Sequence, residues 1–155
     1  MKHESLVELL QTHQARFRVI EHPAEGQSDL VAQVRGTAPG QGAKAMLCRS
    51  KDVSGSLALM VLPGDRKLDF KKVASALGIK KATFATPEEA MAATGNVIGA
   101  IPPFADEGIG LWVDPALVHA HGEIAFNAGR LDRSIVLDTQ DYLRIAQPSL
   151  ADLCG

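Results

Sequence analysis

Residues 43–62 read AKAMLCRSKDVSGSLALMVL, two apolar runs on either side of one polar turn. AKAMLCR (43–49) and SLALMVL (56–62) each predict a strand, and KDVSG (51–55) predicts the turn of a hairpin between them. Upstream, Thr37 to Gly42 holds Pro39, Gly40 and Gly42 and reads as a loop with unusual backbone freedom. Before it, Ser28 is placed to cap a short helix through DLVAQV that ends near Gly36. FRVIEH (17–22) predicts a strand stopped by Pro23, and Leu6, Leu9 and Leu10 give residues 3–13 the spacing of an amphipathic helix.

Downstream, DFKKVASALG (69–78) carries Phe70, Val73, Ala74 and Leu77 on one helical face, with Gly78 as its stop. TFAT (83–86) is a short strand, and Pro87 opens a helix through EEAMAAT that Gly95 ends. VIGAIPPF (97–104) interrupts an apolar run with Gly99, Pro102 and Pro103. LWVD, GEIAFNAG and SIVLD predict three more strands. Thr139 or Asp141 then starts a helix through YLRIAQ, which Pro148 closes. Strand runs come in adjacent pairs rather than in strand–helix alternation. The expected fold class is therefore α+β, a mixed, largely antiparallel β-sheet with flanking short helices. No repeat, linker or boundary breaks the chain, so residues 1–155 are expected to form one domain.

Composition narrows the function classes. A chain of 155 residues that is 46% hydrophobic and 22% charged has the profile of a globular protein. At this length a core forms without disulfide or metal support. The start, MKHESLVELLQTHQ, lacks the charged-then-apolar order of a signal peptide, and no apolar run reaches the ~20 residues that span a bilayer. Cys48 and Cys154 form no CxxC pair; Cys48 is expected on a buried strand and Cys154 near a mobile terminus. A soluble, cytoplasmic protein with no membrane partner is the expectation. The net charge of −2 argues against general polyanion or DNA binding. Six of the 16 basic side chains nevertheless fall between positions 66 and 81 (Arg66, Lys67, Lys71, Lys72, Lys80, Lys81), either a solvated face or a patch for a few phosphates.

Familiar catalytic signatures are missing. There is no GxSxG, no HExxH and no phosphate loop, since GTAPGQGAK ends without the hydroxyl residue that binds magnesium. His119, His121 and Glu123 would share a strand face and form a metal cluster, but Gly122 and the preceding Pro-led turn favour an exposed loop. No metal or other cofactor is expected. His22 before Pro23 reads as a base or a polar cap. Lys44, between Ala43 and Ala45 behind a glycine-rich turn, is the most informative residue. Its amine suits a phosphate or a developing oxyanion, unless its stem only covers apolar surface.

RGTAPGQGAKAML, then GAIPPF, then EIAFNAGRLDRSIVL and DYLRIA, in that order and spacing, resemble the YbaK/prolyl-tRNA synthetase-associated domain family. The likeness runs from about Phe17 to Ala146 and is nearest to the YeaK-like free-standing branch. The resemblance implies an aminoacyl-tRNA deacylase that clears mischarged tRNA in trans. Its partners would be aminoacyl-tRNA and a synthetase; a non-catalytic module binding the tRNA end or a synthetase is the alternative. It places the family's functional lysine on Lys44 and the Gly-x-x-Pro glycine on Gly99, the expected catalytic pair. Arg35, Gly36, Thr37, Pro102, Phe104, Asn127 and Gly129 are the expected substrate-binding residues. Members selective for cysteinyl-tRNA carry a polar residue after the lysine. Ala45 departs from that pattern and points to seryl-, threonyl- or alanyl-tRNA. Gly36, Ala38, Ala43, Ala45, Ala100 and Ala128 suggest a pocket sized for a small side chain, with Thr37 or Asn127 to bond a hydroxyl. The same alanines would also let strands pack closely.

Overall fold

A computed structural model describes residues 1–53 and 56–155. Its strands form two sheets. In the first, β7 (Arg133–Asp138) lies between β1 (Phe17–Glu21) and β6 (Glu123–Asn127), antiparallel to both. In the second, β2 (Ala43–Ser50) pairs antiparallel with β3 (Leu57–Pro63) on one side and β4 (Ala82–Phe84) on the other. The hairpin of β2 and β3 is as expected; Ser54 and Gly55 of its turn lie outside the described residues. β5 (Gly110–Val113) runs parallel to β3, and β8 (Ser149–Leu150), which the sequence did not suggest, runs parallel to β5.

The mixed, largely antiparallel α+β expectation holds, but as two sheets rather than one. The parallel part arises because the chain between β3 and β5 crosses over through α3 (Phe70–Leu77), β4 and α4 (Pro87–Thr94), and so re-enters in the same direction. A parallel bridge between Gly42 and Ala125 stitches the two sheets together next to the start of β2.

Local chemistry sets the helix ends. Asp69 accepts from the Lys71 amide, and Thr86 and Glu89 form a capping box with Pro87 in the first turn. α6 (Thr139–Ala146) starts at Thr139 with Asp138 as its cap. α2 (Ser28–Arg35) departs from expectation: Gln27 is the N-cap and Ser28 lies inside the first turn. α1 (His3–Thr12) buries Leu6 and Leu10 as its spacing requires. Pro115–Val118 adds a short helix, α5, whose C-terminal neighbour His119 is exposed. Among the described residues, no three His, Cys, Asp or Glu side chains group as metal ligands.

Alternation along β2 divides the core. Ala43 and Leu47 face the main cluster, which joins both sheets, α1 and Tyr142 of α6. Cys48 faces a second cluster with Met60, Val73 and Leu153. Cys154 is buried rather than near a mobile end. Asp114 accepts from the amides of Leu153 and Cys154, and the Gly155 amide donates to Lys67 O. Lys44 falls on the Met46–Cys48 side of β2, at the end where that second core gives out.

Candidate active site

β4 covers the outer edge of β2 only from Ser50 to Cys48, and one further bond runs from the Ala85 amide to Leu47 O. Beyond that point the edge of β2 faces a chamber of about 420 Å³. Lys44 stands on one wall, and Gly99, Asn127, Arg35, Gly26 and Ser28 form others. The two residues expected to carry the chemistry, Lys44 and Gly99, therefore share one cavity.

The Lys44 amine is half-buried and donates to the carbonyl of Arg66. Burial lowers its proton affinity below the ordinary lysine range, although Cys154 and Asp65 act in the opposite direction. Arg35 ends α2 with its guanidinium turned inward. Its Nε donates to Ser134 Oγ at 2.7 Å and its Nη2 to Asn127 Oδ1 at 2.9 Å. Among the described residues it makes no ion pair, and burial pushes it down to about 10.

Asn127 links this cation to the loops above it. With its Oδ1 facing Arg35, its Nδ2 donates to the carbonyls of Glu25 and Gly99, each at 2.8 Å. Ser134, fully buried and directly across the strand pair from Asn127, sits 3.1 Å from the same Oδ1. His22 Nδ1 lies 2.8 Å from the Pro23 carbonyl and must donate there, so in the neutral ring Nε2 accepts from Ser134 Oγ at 2.7 Å. His22 is thus a supporting member of a network rather than a base in the chamber.

Gly99 has φ +95°, and a Cβ there would stand 3.3 Å from both the Cα and the carbonyl oxygen of Gly26. Two backbone segments pass here with room only for hydrogen.

The other expected substrate-binding residues lie elsewhere. Gly36 is the exposed C-cap of α2, and the Thr37 hydroxyl is buried without a partner among the described residues, outside the chamber lining. Pro102 is buried. Phe104 packs edge-on against Phe126 and Tyr142 in the main core, and Tyr142 Oη donates to Pro103 O at 2.8 Å. These residues brace the Gly99 loop from behind. Gly129 faces the N-terminus, where a Cβ would fall 2.6 Å from His3 N, so it seats α1 rather than a substrate. Ser134, Gly26 and Ser28 were missed. Ser134 had a signal, since it opens an apolar strand in SIVLD opposite the Asn127 that ends its neighbour.

The α+β frame and a chamber with cations on its wall define a class. Among the described residues, Ser28 is the only hydroxyl side chain on the lining, and it bonds no histidine. The chain belongs to the aminoacyl-tRNA editing domain family, whose model matches residues 22–145. It is 45% identical over 152 residues to the multifunctional Ser/Thr-tRNA deacylase ProXp-y of Escherichia coli K12, covering 97% of this chain and 91% of that protein. The O157:H7 protein of the same name matches equally. Crystal structures share the fold: hypothetical protein APE2540 (TM-score 0.86, 19% identity, 96% of this chain and 98% of that one), and a candidate trans-editing enzyme for prolyl-tRNA synthetase (TM-score 0.83, 24% identity, 98% and 96%). The chain is an editing hydrolase of aminoacyl-tRNA esters.

Proposed function

We propose that this chain removes serine or threonine, and alanine as a further small residue, from mischarged tRNA in trans. We further propose that Lys44 and Gly99 carry the reaction. The supporting observation is their placement on one chamber, a cation on one wall and a glycine turn on another. The 45% identity to a Ser/Thr-tRNA deacylase supports the choice of amino acids. An aminoacyl ester is already activated, so hydrolysis needs position and charge stabilisation more than a strong nucleophile.

In this reading Lys44 holds the terminal phosphate or ribose of the tRNA. Water adds to the ester carbonyl, and amides of the Gly99 turn take the negative charge on oxygen. The tetrahedral intermediate then breaks its bond to the ribose oxygen. That oxygen leaves with the proton the water gave up, relayed by the neighbouring ribose hydroxyl, so no side-chain base is required. Arg35 and Asn127 hold the chamber's shape. The protein would act in the cytoplasm, where charged tRNA is found, and a synthetase that releases the mischarged tRNA is a second partner, testable by adding it to the assay.

The test is single-turnover deacylation of seryl-, threonyl-, alanyl- and cysteinyl-tRNA by the wild type, Lys44→Ala and Gly99→Ala. Both variants should lose roughly 10²-fold or more, the scale of one removed oxyanion-site contact. Rates near wild type in both would sink the mechanism.

A further inference from the structure

Where β4 stops, Phe84 is left 45% exposed, the only aromatic among the exposed large apolar side chains of the described residues. Its ring is not loose: Phe70 of α3 packs against it edge-on, centroids 4.8 Å apart and planes at 79°. Phe84 lines a small cavity of about 150 Å³ with Met46, Ile98, Ile101 and Ala45, and the last four of these also line the main chamber. The two spaces therefore adjoin, the larger lined by Lys44, Arg35 and Asp29 and the smaller, among the described residues, by no charged or hydroxyl side chain. Ile98, opposite the rim, is 48% exposed.

We propose that this annex is a base-stacking subsite, in which Phe84 takes the nucleobase of the substrate's 3′-terminal nucleotide. The inference rests on the deacylase reading for which nucleotide enters. Phosphate and the substrate ammonium find no counter-charge in the annex, and a serine or threonine hydroxyl finds no hydrogen-bonding side chain. A nucleobase presents a flat face that stacks on aromatic and aliphatic side chains, the usual way proteins hold single-stranded ends. The ribose that carries the ester carries the base on the same ring. An ester held between Lys44 and Gly99 brings that base within reach of the adjoining space. The packing of Phe70 against Phe84 fixes the platform before the substrate arrives, which limits the ordering cost of binding.

The experiment uses an uncharged acceptor-stem RNA with 2-aminopurine as its 3′-terminal base, titrated with wild type, Phe84→Ala, Phe84→Leu and Phe84→Trp. Wild type and Phe84→Trp should quench the fluorophore and bind alike or tighter in the Trp case. Phe84→Ala and Phe84→Leu should weaken binding roughly 10- to 100-fold and lose the quench. On aminoacyl-tRNA the same two variants should lose kcat/KM while the single-turnover rate at saturation stays within about threefold. Phe84→Leu keeps apolar bulk and guards against a folding defect in Phe84→Ala. Equal quenching by all four proteins would overturn the subsite. So would a changed serine-to-threonine preference with unchanged RNA binding, which would assign the annex to the amino-acid side chain. If wild type stacks the base but cleaves no ester, the deacylase reading fails while the platform stands.

Discussion

The side-chain amide of Asn127 holds the carbonyl of Gly99 at 2.8 Å, and its second hydrogen holds the carbonyl of Glu25 at the same distance. One nitrogen thus pins both loops that close the chamber, while the donor from Arg35 fixes which way the amide points. Asn127→Asp keeps the shape and the contact to Arg35 but turns an oxygen toward two carbonyl oxygens. Buried acceptors left facing one another cost about 1–3 kcal/mol. Urea unfolding should show a loss of that size, and the single-turnover rate should fall about tenfold or more because the Gly99 turn is released. A variant that is destabilised yet deacylates at the wild-type rate would separate Asn127 from the site.

Gly99 and Gly129 both have positive φ, +95° and +74°, but border different things. Gly99→Ala sets a methyl against the Gly26 backbone inside the chamber wall. Gly129→Ala sets one against the His3 amide and the N-terminal segment. Each should cost about 1–3 kcal/mol of stability through strain. Only Gly99→Ala should lower the deacylation rate under conditions where both remain folded. Equal rate losses would return Gly129 to the substrate site.

Most elements were legible because they are local, as the β2–β3 hairpin declares itself by alternation around one turn, while Lys44 and Gly99, which share the chamber, stand in the short motifs that carry the family resemblance. LWVD announced β5 as a strand, but its parallel pairing and the whole of β8 were not legible, because long crossovers rather than local patterns place them. The motif neighbours misled for a related reason. Thr37, Phe104 and Gly129 are close in sequence to chamber residues, yet chain direction turns them into a buried corner, the main core and the N-terminal helix respectively. Ser134 and Gly26, distant from Lys44 in sequence, reach the site only through tertiary structure.

Asp141 ties the first turn of α6 to the start of β1. Its carboxylate accepts from the Arg16 Nε at 3.1 Å and the Arg16 amide at 2.8 Å, and from Arg144 at 3.2 Å. The side-chain bond from Arg16, then its amide, hold Asp141 down at about 2, below an ordinary aspartate. A depressed folded-state value means that stability is present above the unfolded value near 4 and is lost as pH falls from about 4 to about 2. Wild type should melt a few degrees above Asp141→Asn at neutral pH, and the two Tm curves should converge across that acid window. Parallel curves down to pH 2 would remove Asp141 from the acid response.

Lys44 gives the reaction its own pH signature. Burial disfavours the ammonium form, so the amine loses its proton below the ordinary lysine value of 10.5. The anchoring of an anionic 3′ end requires the charged form. As pH rises through the lowered value, the cation disappears and kcat/KM, corrected for uncatalysed ester hydrolysis, should fall on the alkaline side. Lys44→Arg places a cation that does not titrate in this range, though on a planar head that cannot reproduce the contact to Arg66 O. It should run slower at neutral pH, by about tenfold, but without the alkaline limb. Lys44→Ala should lose the limb and about 10²-fold in rate together. An alkaline limb at the same pH in wild type and Lys44→Arg would assign the titration to another group and leave the Lys44 amine without its proposed charge role.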